Sequence, residues 1–394
     1  MTKLDRLIAE LCPDGVKYVV LDDVIDYEQP TKYIVRSTDY NDDFETPVLT
    51  AGQTFILGYT NETDGVYNAS SDKPVIIFDD FTTSFHWVDF PFKVKSSAIK
   101  MLTPKDIKKS GLRFLYYAIQ CLRYQPDFSK HARQWIGTYS QFSVPLPPLP
   151  VQREIVRILD NFTELTAELT AELTARKIQY IYYSKFLIDS HADSEVVKLG
   201  DLGKWYGGGT PSTQNKTFWD GGTIPWVTSK DMIGTVLTQT QDCITPEAVH
   251  NSTAKLLPRN TVAVVVRSGI LRHTLPIVYI PFETTVNQDI KALVAKPGVS
   301  ARYVAYVLRA NHDELLIKTK KAGGTVESIV MQQFLGYKIP LPSYEEQERI
   351  VSALDRFDAL TTDISSGLPA EIAARQKQYE YYRDKLLSFK EKVV

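Results

Sequence analysis

The sequence predicts a mixed α/β protein, of α+β character, in which two modules alternate with two long helices that pair as an antiparallel coiled coil. Three observations predict it. Two stretches of the chain duplicate each other motif by motif, and those stretches carry apolar residues at helical spacing. The segments between them are short β-rich runs set among Gly, Pro, Asn, Asp and Thr. A length of 394 residues fits two to four domains at roughly 100–200 residues each.

The duplication comes first. Val144-Pro145-Leu146-Pro147 precedes Gln152-Arg153-Glu154-Ile155-Val156-Arg157-Ile158-Leu159-Asp160. Ile339-Pro340-Leu341-Pro342 precedes Gln347-Glu348-Arg349-Ile350-Val351-Ser352-Ala353-Leu354-Asp355, at a constant offset of 195. Ala175-Arg176, Gln179-Tyr180 and Tyr182-Tyr183 recur as Ala374-Arg375, Gln378-Tyr379 and Tyr381-Tyr382 at an offset of 199. A fainter echo relates Val19-Val20-Leu21-Asp22-Asp23-Val24 to Val197-Lys198-Leu199-Gly200-Asp201-Leu202. The layout is an N-terminal cap segment (1–15), a module (16–143), a helical region (144–190), a second module (191–338) and a second helical region (339–394).

Residues 151–187 read as one helix. Ile155, Ile158, Phe162, Leu165, Leu169 and Leu173 recur every three or four residues without Gly or Pro between them. Pro150 stands where a helix tolerates proline. Its length is roughly 55 Å at 1.5 Å per residue. The second helix opens on the capping pattern Ser343-x-x-Glu346 and carries Ile350, Leu354, Phe357, Leu360 and Ile364. It breaks at Gly367-Leu368-Pro369 and resumes from about Ala370 to Phe389, which makes it less regular than the first. Two matched stripes on otherwise polar helices favour packing against each other. Thr166-Ala167-Glu168-Leu169 and Thr170-Ala171-Glu172-Leu173 form a tandem repeat inside the first helix. Each unit adds roughly 6 Å without breaking helicity, as a ruler would.

In the modules, Pro74–Phe78 and Thr261–Val266 read as buried strands, and Arg113–Arg123 and Ala301–Arg309 as helices. Trp135, Trp219 and Trp226 are read as core.

Apolar residues at 43% and charged residues at 23% are those of a globular protein, and no run approaches the roughly 20 apolar residues of a membrane span. The start of the chain, with acids among its bases, does not read as a secretion signal. Cys12, Cys121 and Cys243 form no Cys-x-x-Cys pair, so neither disulfide framework nor zinc cluster is expected, and a reducing cytoplasm fits. The net charge is −2, but residues 196–338 hold 16 Lys+Arg against 10 Asp+Glu, while residues 16–143 hold 14 against 16. The second module thus hints at a polyanionic partner and the first does not.

Catalytic motifs are missing. No phosphate-binding glycine loop is present; Gly207-Gly208-Gly209-Thr210 runs into Pro211 and reads as a turn. The six histidines never pair at ligand spacing, so no metal site is expected. No Asp/Asn-Pro-Pro-Tyr/Phe segment of the methyl-transfer kind occurs, and Asp289-Ile290-Lys291 reads as surface rather than as part of a nuclease site.

Modules alternating with Pro-Leu-Pro…Gln…Ile-Val…Leu-Asp helices make the whole chain resemble the specificity subunit of Type I restriction–modification enzymes. The Thr-Ala-Glu-Leu pair resembles the subfamily with such repeats between the modules. Gly207–Ser212 with Ile224–Met232 is similar to a frequent opening of the family's target recognition domains, and Tyr27–Tyr33 with Phe78–Thr83 is similar to another variant. The resemblance implies a chain without an active site, whose two target recognition domains each read one half of an asymmetric, gapped site in double-stranded DNA. The helices would set the gap and hold two modification (methyltransferase) subunits, and restriction (translocase and nuclease) subunits would join. S-adenosylmethionine, ATP and magnesium would belong to those partners, with no cofactor on this chain and no membrane association. Two readers on one face of DNA sit about one helical turn, roughly 34–36 Å, apart. One repeat unit of roughly 6 Å falls between one and two base-pair steps of about 3.4 Å.

Base readout needs Arg for guanine, Asn or Gln for adenine and Thr methyls for thymine. In the second module the candidates are Thr210, Ser212, Lys230, Arg267, Ser268, Arg272, Asn287, Gln288, Lys320, Lys321, Gly324 and Thr325, the last four in a basic glycine-bearing loop. In the first they are Gln29, Thr31, Lys32, Tyr59, Asn61, Thr82, Thr83, Arg133 and Gln134. Because the first module is net negative, base readout and the attached methyltransferases must contribute more there than phosphate neutralisation. Two other functions stay open on sequence: a self-sufficient DNA-modifying enzyme, and a coiled-coil scaffold that binds no DNA.

Overall fold

The computed structural model describes residues 2–52, 54–127, 129, 132–191, 194–321, 326–362 and 367–392. Its first half runs α1 (Lys3–Leu11), β1 (Tyr18–Val20), α2 (Leu21–Val24), β2 (Ile25–Glu28), β3 (Thr46–Leu49), β4 (Ile56–Thr60), β5 (Val75–Asp79), β6 (Phe85–Val88), β7 (Lys93–Val94), β8 (Ile99–Pro104), α3 (Leu112–Gln120), β9 (Ser143–Pro145) and α4 (Leu149–Asp189). The second half runs β10 (Val196–Lys198), β11 (Gly203–Gly207), β12 (Ile224–Val227), β13 (Asp242–Ile244), α5 (Pro246–Asn251), β14 (Thr261–Val265), β15 (Ile277–Ile280), β16 (Thr285–Val286), β17 (Ile290–Ala295), α6 (Ala301–Ala310), α7 (His312–Thr319), α8 (Met331–Gly336), β18 (Lys338–Pro340), α9 (Tyr344–Thr362) and α10 (Leu368–Leu386).

The duplication seen in the sequence is a duplication of topology. The first half builds a four-stranded sheet in the order β2-β8-β5-β6 and a three-stranded sheet β4-β3-β7. The second half builds β11-β17-β14-β15 and β13-β12-β16, the same two orders. Each three-stranded sheet contains one parallel pair, β3 with β7 and β12 with β16. The central strands are buried on both faces: Val75–Phe78 and Val262–Val265 are fully enclosed. That is why both read as continuous apolar runs rather than as alternating ones. A short antiparallel pair ties the start of each half to the strand before its long helix, β1 to β9 and β10 to β18.

The chain divides into two compact units, Met1–Ala167 with Ala374–Val394, and Glu168–Ala373. The division within α4 falls between Ala167 and Glu168, inside the Thr-Ala-Glu-Leu repeat. In the first unit the buried Gln152 accepts from the Gly111 amide at 2.9 Å and donates to the carbonyls of Lys109 and Pro147. Gln347 does the same in the second unit, accepting from Ser300 at 2.8 Å and donating to Gly298 and Pro342. Asp160 takes Arg113 and the Tyr117 hydroxyl, and Asp355 takes Arg302 and the Tyr306 hydroxyl. The repeated Gln and Asp of the motif therefore fasten each helix to its own module.

Ring contacts complete the helix pairs. Phe162 stacks on Tyr382 in the first unit, with centroids 5.4 Å apart, and Phe357 stacks on Tyr183 in the second, at 5.9 Å. These four residues are equivalents under the repeat with the copies exchanged. In the second unit α4 and α9 run antiparallel, since His191 meets Glu346 at 2.8 Å while Tyr183 meets Phe357 further along.

The expected stripes need correction in detail. Ile155, Ile350 and Leu354 are buried, and Ile158, Phe162, Leu165, Leu169, Leu173 and Phe357 are half-buried. Leu360 is 39% exposed, whereas its neighbour Thr361 is buried and donates its hydroxyl to the Phe357 carbonyl at 2.9 Å. The helix thus turns Thr361, not Leu360, inward. Ile364 lies outside the described residues. The sequence puts the break at Gly367–Pro369 with helix resuming from about Ala370; α10 instead begins at Leu368, and Pro369 sits in its first turn, where its missing amide costs nothing. Trp135 and Trp226 are buried, and Trp219 is half-buried with its ring edge-on to Trp226. Among the described residues no helix is long and apolar enough to cross a membrane.

Candidate nucleic-acid interface

In the second unit the candidates gather where β14 leaves the sheet. Arg267 follows the buried Val266 and bridges to Ser328, and the Ser268 amide donates to the Glu327 carbonyl at 3.0 Å. Two acids organise the cations there. Asp289 holds Arg267 at 2.6 Å, and Glu327 lies between Arg272 at 3.6 Å and Lys320 at 3.4 Å. The Lys321 amide donates to the Ser328 carbonyl, so Lys321 joins the same strip.

The strip continues to the glycine turn. A Cβ at Gly208 would lie 2.0 Å from the Val286 carbonyl oxygen, so only glycine lets the turn approach that strand. This close approach brings Thr210 to Gln288, whose carbonyl oxygen accepts from the Thr210 hydroxyl; the Gln288 amide then reaches Asp289 at 3.4 Å. Thr210, Gln288, Arg267, Ser268, Arg272, Lys320 and Lys321 thus form one surface with four cations and two acids. Arg267 and Arg272 keep more than half of their side-chain surface in solvent, and their ion pairs are exposed ones that a phosphate or base edge can replace at little cost.

Other candidates lie elsewhere or are already engaged. Asn287 is buried and its side-chain oxygen accepts from the Asp289 amide at 3.0 Å, which shapes the strip from beneath. Lys230 is exposed on a turn closed by Asp231, whose carboxylate accepts from the Thr228 amide and hydroxyl at 2.8 Å. Ser212 is exposed, and its carbonyl accepts from the Trp219 indole. Gly324 and Thr325 lie outside the described residues.

In the first unit the corresponding turn, β5 to β6, is built on acids. Asp79 accepts from the Phe81 and Thr82 amides at 2.9 and 2.8 Å. Asp80 is completely buried against Lys100 at 3.2 Å and accepts from the Gln134 and Trp135 amides. The buried Lys100 ammonium also lies 4.6 Å from the Tyr27 ring centre. Arg133 reaches Asp80 at 3.4 Å with half its side chain in solvent and lies over the Phe81 ring, so it stands beside the exposed Thr82. Thr83 and Gln134 depart from the expectation of accessible base readers. Thr83 is buried at φ 59° with its hydroxyl donated to the Thr82 carbonyl. Gln134 is buried, accepting from the Tyr124 hydroxyl and donating to the Ala132 carbonyl, both at 2.7 Å. Their polar groups complete the turn rather than face outward.

Gln29, Thr31 and Lys32 are exposed after β2, with Lys32 paired to Glu28 at 2.7 Å. Hydrogen bonds that its ammonium donates to Glu28 and Tyr33 raise the Lys32 pKa, so it stays charged. A Cβ at Gly65, where φ is +62°, would lie 2.2 Å from the Lys32 carbonyl oxygen; this contact joins the Lys32 loop to the one after β4. Asn61 is exposed on that second loop, and Tyr59 is half-buried on β4. Glu62 anchors it: burial pushes its carboxyl up, but Lys93 and the Ser37 and Arg36 amides outweigh burial and hold it at about 2.

Sequence reasoning missed the organising acids, Asp80, Asp289 and Glu327. No spacing along the chain links Arg267 to Asp289, 22 positions on, or Ser268 to Glu327, 59 positions on; only the fold does. Among the described residues no group of three His, Cys, Asp or Glu side chains is placed to hold a metal ion.

The comparisons agree with one another. The family described as "Type I restriction modification DNA specificity domain" matches residues 13–176 and again 191–374, which covers most of the chain in two copies. The chain is 49% identical over 399 aligned residues to the Type I restriction enzyme EcoR124I/EcoR124II specificity subunit of Escherichia coli, covering 99% of this chain and 97% of that one. It is 31% identical to the MjaIX specificity subunit of Methanocaldococcus jannaschii over 43% of this chain and 38% of that one. The fold matches the S subunit of a Type I system from M. genitalium at a TM-score of 0.55 and 13% identity, covering 95% of this chain and 96% of that one. A chain from work on "complex assembly" and "conformational transition of the type I R-M system" matches at 0.56 and 18% identity, covering 95% and 98%. The chain belongs to the Type I restriction–modification DNA specificity family, as a specificity subunit that carries the domain twice.

Proposed function

We propose that each module reads one half of an asymmetric, gapped site in double-stranded DNA, and that the paired helices set the gap and dock two modification subunits. The observation that carries this reading is the pair of modules itself, which share sheet order but present unlike side chains at the same turns. Phe81-Thr82 stands in one module where Arg267-Ser268 stands in the other, and Ser97 stands where Gln288 does. Unlike readers on matching scaffolds suit a site with unlike halves. The exposed members of both groups are the base and phosphate contacts of this reading. Lys320 and Lys321 carry phosphate contacts, and Gly324 and Thr325, outside the described residues, are counted with them on sequence alone. Thr83, Gln134 and Asn287 act by shaping the readers.

In this reading the chain has no active site and binds no cofactor. S-adenosylmethionine is brought by the modification subunits, and ATP and magnesium by restriction subunits that join the same core in the cytoplasm. The tandem Thr-Ala-Glu-Leu pair supports reading the chain as a member of a subfamily whose repeat number adjusts the gap; each added unit would lengthen α4 by roughly 6 Å.

The test is modified-base sequencing of DNA from a methylation-free bacterial host expressing this chain with, and without, its modification subunit. Methylated adenines confined to one asymmetric gapped motif, present only with both proteins, are expected. Methylation by this chain alone overturns the claim that it lacks an active site. Association without any sequence-confined mark overturns DNA reading.

A further inference from the structure

At the β5–β6 turn the first module exposes a ring. Phe81 is 36% exposed, whereas Phe78, three residues earlier on β5, is fully enclosed. The turn beneath the ring is fixed. Asp79 accepts from the Phe81 and Thr82 amides with its carboxylate, and from the Thr83 amide with its carbonyl at 2.9 Å. Thr83 is buried at φ 59°, a conformation that a β-branched residue adopts only where its surroundings impose it. Phe81 is therefore held at a set place, partly in solvent.

What this turn offers a partner is largely apolar. The Thr82 hydroxyl meets the Ser84 hydroxyl at 2.5 Å, so its polar group is engaged within the turn. Asp79 and Asp80 at the base carry the wrong charge for a phosphate. Beside the ring is one cation: the Arg133 guanidinium lies 5.8 Å from the Phe81 ring centre, with half its side chain in solvent. In the second module the same place in the register belongs to Arg267, because Val264 pairs with Lys291 as Phe78 pairs with Lys100. One scaffold position thus carries a cation in one reader and a ring in the other.

Among the groups on base-pair edges, the one that suits a ring is the C5-methyl of thymine, which stands in the same major groove as the guanine acceptors that suit arginine. We infer that Phe81 is a specificity-determining residue: its ring reads the methyl group of a thymine, one or two base-pair steps from the base that Arg133 contacts. This deepens, and rests on, the proposed reading of DNA by the first module. The spacing follows from the 5.8 Å between ring and guanidinium, which is less than two steps of about 3.4 Å.

The experiment measures binding of the full chain, with its modification subunit, to duplexes carrying the site found by modified-base sequencing. Each thymine of the first module's half-site is replaced in turn by deoxyuridine, which lacks only the methyl group. The wild type is expected to bind about fourfold more weakly at one position, the worth of one buried methyl. Phe81→Ala is expected to bind the thymine and deoxyuridine duplexes alike at that position, and Phe81→Leu to keep part of the difference. Both variants should respond as the wild type does to substitutions in the second half-site, which shows that they are folded. A wild type indifferent to every replacement, or a first half-site without an A·T pair, overturns the inference. So does a Phe81→Ala variant that weakens both duplexes by the same factor, since the ring is then structural. Discrimination lost in Thr82→Ser but kept in Phe81→Ala assigns the methyl to Thr82 and overturns it as well. A sensitive thymine more than two steps from the base whose preference Arg133→Ala changes overturns the pairing of the two side chains. Binding without any sequence preference overturns the reading of DNA itself, a separate outcome.

Discussion

The two modules fold the same strands in the same order, yet they dispose of their cations in opposite ways. The first buries two lysines. Lys93 is enclosed against Glu62 at 2.9 Å and Lys100 against Asp80 at 3.2 Å. In the second, register places the buried Thr285 where Lys93 stands and Val266 where Asp80 stands, and Lys291, the counterpart of Lys100, is half-buried. Its cations are instead at the surface, Arg267, Arg272 and Lys320, held loosely by Asp289 and Glu327. A basic count in the sequence therefore means different things in the two halves. In the first, charge builds the scaffold; in the second it is available to a polyanion.

The largest test of that difference is at Asp80. Asp80→Asn leaves the Lys100 ammonium buried without its counter-charge, which is expected to cost about 3–5 kcal/mol of stability. Urea unfolding followed by tryptophan fluorescence reads it, since Trp135 donates its amide to Asp80. Adding Lys100→Met should restore much of the loss. If Asp80→Asn costs no more than a surface substitution, the first module's charges are not structural and the contrast fails.

The shared scaffold predicts equality where the readers predict difference. Gln152→Ala and Gln347→Ala each remove three hydrogen bonds and leave buried backbone groups unpaired, an expected cost of about 1–3 kcal/mol apiece. The two costs should agree within the scatter of unfolding measurements. A large disparity would mean that the repeat is one of sequence more than of energetics.

What could be read from the chain alone follows the same division. The helices and the buried strands were legible because periodicity and apolar runs are local signals. The repeated Gln and Asp were visible as motif, but their work, clasping Gly111 or Ser300 some 40 to 50 residues away, was not. Thr83 and Gln134 looked like readers because polarity and loop position are all the sequence gives; only the fold shows the hydroxyl and amide satisfied within it. Leu360 looked like core for the converse reason, since an apolar stripe fixes a helical face only to within a residue.

DNA binding by the assembled complex separates the modules next. Arg267→Ala is expected to weaken binding by about 1–3 kcal/mol and to relax specificity at one base pair in the second module's half-site. Lys320→Ala is expected to weaken all sequences alike and to lower the salt slope by about one. Both are measured by fluorescence anisotropy across a salt series. Arg133→Ala in the first module should change sequence preference with less effect on the slope. Equal slopes after every substitution would show that the second module's surface cations do not meet phosphate.

The smallest effect is in acid, and it belongs to the first unit. Hydrogen bonds from Arg157 and Lys3 hold the Glu154 carboxyl at about 2, as the Lys93 ammonium and two amides hold Glu62, against an ordinary value of 4.5. An unfolded chain takes up those protons first, near pH 4.5, so both clasps stabilise fully above that pH and lose their contribution as pH falls through about 2. Glu62→Gln with Glu154→Gln should therefore be less stable than the wild type at pH 7, with the two urea midpoints converging toward pH 2. Parallel midpoints from pH 7 to 2 would mean that the clasps act through shape and not through charge. The first module would then be no more electrostatic in its construction than the second.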